Sequence, residues 1–147
     1  MRTRAKGTSG QSWSRLSIDA QLSQLPQVQV LLIHAQRGDD ASATALGASW
    51  APMLATFLEA GGVVIAVEGA SGTSHRVLAG AGLLAIPGVS EIVGVDISIV
   101  APSDSLVPGV LSPYRTAATS VVFDAPLDQA VIADASGRPV VLHTTVP

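Results

Sequence analysis

The chain predicts an α/β fold in which two parallel strands are joined by a helix and followed by a β-rich second half. Three observations point there. Residues 28–33, Val-Gln-Val-Leu-Leu-Ile, form a nearly unbroken apolar run, the pattern of parallel strands covered on both faces. A helical run then reaches Phe57-Leu58-Glu59-Ala60, stops at Gly61-Gly62 and restarts as a second apolar run over 63–67. Beyond Pro87-Gly88 the spacing changes to the two-residue alternation of strands.

Taken in order, residues 1–26 read as a tail, or as the remnant of a preceding segment, before a single α/β domain over 27–147. Residues 17–25 place Ile18, Leu22 and Leu25 on one helical face with Ser17 as cap, and Pro26 ends that turn. The main helix carries Leu46, Trp50, Met53, Leu54, Phe57 and Leu58 at the spacing of one apolar stripe. Pro52 belongs in its first turn if the helix starts at Ser49 or Trp50, and otherwise kinks a longer helix. Gly61 is the expected left-handed residue at the helix end, and Gly62 lets the chain turn into the next strand. A right-handed crossover then sets 63–67 parallel to 28–33. After a small-residue loop, a short helix over 75–84 is expected, capped by Ser74, with Val77, Leu78 and Leu83 inward; Gly80 and Gly82 weaken it. Antiparallel strands are expected at 95–100, 120–123, 129–133 and 139–144, the last two joined by a hairpin turn.

A chain of 147 residues can bury a core without staples. Hydrophobic residues make up 48% and charged residues 13%, about half the roughly 25% of an average domain. Mean hydropathy is +0.46, which excludes general disorder. So little charge implies a sheet covered on both faces or an apolar face used for association, so a protein or small-molecule partner and a homo-oligomer are both expectations. The net charge is −3, and the basic residues cluster only at Arg2, Arg4, Lys6 and Arg15, so nucleic acid is not an expected partner. Without cysteine there is no disulfide, thiolate metal site or Cys nucleophile. The basic start runs into small polar residues rather than a signal-peptide core. Residues 41–58 carry no charge, but Ser42, Thr44, Ser49, Pro52 and Thr56 make them too polar for a membrane span. The expected location is cytoplasmic by default, or exported if the chain is the rear of a longer protein.

The run Gln27-Val28-Gln29-Val30-Leu31-Leu32-Ile33-His34, the helix end Phe57-Leu58-Glu59-Ala60-Gly61-Gly62 and the strand over 63–67 resemble the class I glutamine amidotransferase-like, flavodoxin-related family. The nearest similarity is to its trehalose-utilisation-like branch, where a segment resembling Ala101-Pro102-Ser103-Asp104-Ser105-Leu106-Val107-Pro108-Gly109-Val110 precedes the late strands. The resemblance implies a three-layer flavodoxin-like parallel sheet core, whole or truncated. It also implies a cysteine nucleophile at a strand-to-helix turn, which this chain lacks. What the resemblance leaves is a non-catalytic α/β domain acting as a binding or interaction module.

In parallel sheets, ligands bind beyond the carboxyl ends of strands. Two loops leave such ends here: one with His34, Gln36, Arg37, Asp39 and Asp40, the other with Glu68, Ser71, Thr73, Ser74 and His75. As a small serine-dependent hydrolase, the chain would use Ser71 as nucleophile, His75 or His34 as base, and Asp39 or Asp40 as the orienting carboxylate. Gly69-Ala70-Ser71-Gly72-Thr73 approximates the G-x-S-x-G elbow, with Thr73 in place of the last glycine. The plainer reading, an ordinary Ser/Gly loop before a helix, is preferred. A metal held by His34, Asp39, Asp40 and His75 lacks a compact ligand motif, and Asp39-Asp40 also reads as charge at a helix start. A phosphate cradle over 69–74 lacks the P-loop lysine. His143 reads as a packed or edge histidine, and Trp13 and Trp50 do not mark a sugar platform. No cofactor is expected.

Overall fold

A computed structural model describes residues 4–6, 12–14, 25, 28–35, 38–116 and 119–146, the first two groups as backbone only. A hairpin pairs β1 (Arg4–Lys6) with β2 (Ser12–Ser14) in the stretch read as a tail. The helix expected over 17–25 lies outside the described residues except for Leu25, as do Gln36, Arg37 and the Trp13 side chain.

The predicted β-α-β unit is present. β3 (Val30–Ile33) and β4 (Val63–Ala66) pair in parallel, Val30 opposite Val63 and Leu32 opposite Ile65. Between them α1 (Asp40–Glu59) runs unbroken through Pro52, so the main helix begins nine residues or more before the start expected at Ser49 or Trp50. Its N-terminus is set by Asp39, whose carboxylate accepts from the Ser42 N–H at 2.8 Å and the Ser42 hydroxyl at 2.7 Å. Its end is set by Gly61, whose φ of +85° only glycine adopts without strain. Leu54 and Phe57 on α1 bury against Leu25, Leu31 and Val64, while Ala43 and Trp50 meet Ile33 and Ala66.

α2 (Ser74–Gly80) crosses α1 at backbone contact distance. A Cβ on Gly47 would strike the Val77 carbonyl, and one on Gly80 would strike the Thr44 carbonyl. The helix stops short of Leu84 because Gly82, at φ +73°, turns the chain away.

Here the structure corrects the expected three-layer flavodoxin-like parallel core. A further parallel strand would have to return through α2 to an edge of the β3–β4 sheet. The seven-residue α2 instead leads through Pro87-Gly88 into β5 (Val89–Ile92), which leaves the β3–β4 sheet and pairs antiparallel with β8 (Ser120–Phe123). Among the described residues the parallel sheet therefore has two strands, and the remaining sheets are antiparallel. The largest has the order β10-β9-β6-β7, formed by β6 (Asp96–Ile99), β7 (Tyr114–Arg115), β9 (Ala130–Asp134) and β10 (Pro139–Leu142). Ile97, Val131 and Ile132 form its core, with Val107 inserted from the loop between β6 and β7. The β9–β10 hairpin is as expected: Asp134 accepts from the Ser136 and Arg138 N–H groups and pairs with the Arg138 guanidinium at 2.7 Å. β5 and β7 were not legible as strands.

Candidate functional site

The two strand-end loops meet, as parallel neighbours must. Ser74 Oγ donates to the His34 carbonyl at 3.0 Å, and Arg76 Nε donates to Asp40 Oδ2 at 2.8 Å. Ser74 is thus buried inside the first turn of α2, with Thr73 in the cap position, and does not cap the helix as expected.

The chemical centre of this end is a pair that the residue pattern alone did not reveal. Glu68, just past β4, is folded under its own loop with 2% of its side chain exposed, and His75 is 5% exposed. Glu68 Oε2 accepts from the His75 backbone N–H at 2.9 Å and faces His75 Nδ1 at 2.7 Å; Oε1 accepts from the Gly69 N–H at 3.0 Å. A carboxylate that only accepts makes Nδ1 the donor of this bond. Nε2 makes no hydrogen bond with a described residue. Gly72 is required above the carboxylate, because a Cβ there would collide with Glu68 Oε1. The loop closes through a turn in which the Gly72 N–H donates to the Gly69 carbonyl, with Ser71 at the exposed corner.

The expected site residues are therefore distributed as follows. His75 is buried and oriented, but by Glu68 rather than by Asp39 or Asp40. Asp39 uses both carboxylate oxygens on Ser42 and is held below the ordinary carboxyl range by the Ser42 backbone N–H and then its hydroxyl. Asp40 pairs with Arg76 at the surface. His34 contributes its backbone carbonyl to Ser74, and its side chain is exposed. Ser71 is exposed and makes no hydrogen bond to either histidine. Among the described residues no three His, Asp or Glu side chains gather closely enough to hold a metal. The His75 N–H at the start of α2 is already engaged by Glu68, so this end presents a carboxylate where a phosphate cradle needs open donors. A shallow, open depression of about 530 Å³ beside the loops is lined by Asp40, Ala41, Thr44, Ala45, Ala48 and Arg76.

A second feature lies on the same two strands. One face packs on α1 through Leu31, Ile33, Val64 and Ala66. The other carries Val30, Leu32, Val63, Ile65 and Val67, which are 37% to 49% exposed. Parallel register sets Val30 beside Val63 and Leu32 beside Ile65, making one continuous uncharged apolar surface. A second carboxylate–imidazole pair joins Asp104 Oδ2 to His143 Nδ1 at 2.7 Å, just beyond β10. This bond and the Leu106 N–H hold Asp104 below its ordinary range. His143 is thus a partnered histidine outside the strand.

No protein-family model, curated protein or solved structure matches the chain, and so none identifies it with the amidotransferase-like family. No helix among the described residues is long and apolar enough to cross a membrane.

Proposed function

We propose that this chain is a binding module that engages another polypeptide through the outer face of the β3–β4 sheet. The observation that carries the reading is the exposure of Val30, Leu32, Val63, Ile65 and Val67 on parallel strands, which elsewhere are covered on both faces. An uncharged, β-branched surface gains free energy at about 25 cal/mol per Å² when an apolar strand or helix covers it. It needs no charged partner, which fits a chain with only 13% charged residues. The test is a Val63→Glu, Ile65→Lys double variant examined by hydrophobic-dye fluorescence and by sedimentation velocity over a range of concentrations. The reading expects a folded wild-type protein that binds the dye at this face and associates with itself or an added apolar helix. The double variant keeps its fold and loses both properties. Equal dye binding and association in the two proteins would contradict it.

A second reading, hydrolysis, is favoured by one observation: the Glu68–His75 pair supplies an oriented imidazole four residues from Ser71. In it, His75 Nε2 takes the Ser71 Oγ proton as the serine attacks an ester carbonyl, and returns it to the departing alcohol. Release of nitrophenol from p-nitrophenyl acetate would then fall to background in both Ser71→Ala and His75→Gln. A rate that survives Ser71→Ala rules it out.

A further inference from the structure

We draw no further inference here: the strongest candidate, the bare outer face of the β3–β4 sheet, already carries the proposed function, and nothing in the structure shows what covers it.

Discussion

β9 and β4 are both short apolar strands, yet they end in opposite environments. Every residue of β9 from Ala130 to Asp134 is buried, with β6 and β10 on its two edges and Val131 and Ile132 packed against Ile97 and Val107. β4 alternates exposed and half-buried residues, because it has one strand neighbour and one helix layer. The difference comes from what surrounds each strand and is not written in its hydropathy. A short apolar strand can serve as core or as contact surface, and what covers its two faces decides: β6 also has two strand neighbours, yet its Asp96 is exposed.

That contrast breaks most visibly under a buried charge. Ala133→Asp places an unpaired carboxylate at a fully buried position and is expected to remove about 4 kcal/mol or more, enough to unfold a marginal domain. Val63→Asp on β4 is expected to remove about 0.5 kcal/mol, as an exposed substitution does. Urea denaturation of both variants measures the gap; equal losses would mean that β4 is covered.

The helical layer behind β4 is sensitive to small additions. Gly47→Ala and Gly80→Ala each drive a methyl into a carbonyl of the facing helix and should destabilise by about 1–3 kcal/mol, read from the thermal midpoint. Glu68→Ala removes the acceptor of the Gly69 and His75 N–H groups and should lose about 2 kcal/mol while loosening the 68–73 loop. Faster amide exchange at Gly69 and His75, with α1 unchanged, would place the effect in the loop.

The smallest expected effect is acid sensitivity. Asp39, Asp104 and Asp134 all lie below their ordinary value of 3.8 in the folded chain. Burial pushes Asp134 up, but the bonds from Arg138 and Ser136 outweigh it. A depressed carboxyl stabilises the fold above its unfolded value and loses that contribution as pH falls through the folded one. Denaturant midpoints should therefore show no loss from these groups near neutrality and decline below about pH 4. Asp134→Asn should flatten part of that decline.

Much of the local structure was legible in the sequence. The apolar runs over 28–33 and 63–67, the stripe through Leu54 and Phe57, and Gly61 as helix terminator encode the β-α-β unit directly. The Asp134–Arg138 turn was legible for the same reason, since its residues act within four positions of one another. Sheet membership was not, because hydropathy does not say to which edge β5 returns after Pro87-Gly88. The site was legible as an address: both strand-end loops converge. Its chemistry was not, because Glu68 and His75 lie seven residues apart across a glycine turn that no helical or strand period describes. Asp104 and His143 are separated by 39 positions and meet only in the folded chain.

Two adjacent residues of one strand report whether the outer β3–β4 face is uncovered in the folded chain. Leu32 points outward and is 37% exposed, whereas Ile33 points to α1 and is 5% exposed. Urea unfolding of Leu32→Lys and Ile33→Lys compares the two faces. Ile33→Lys should lose about 3 kcal/mol or more and Leu32→Lys less than about 1 kcal/mol. Equal, large losses would show that the chain covers its own outer face and would contradict the proposed contact surface.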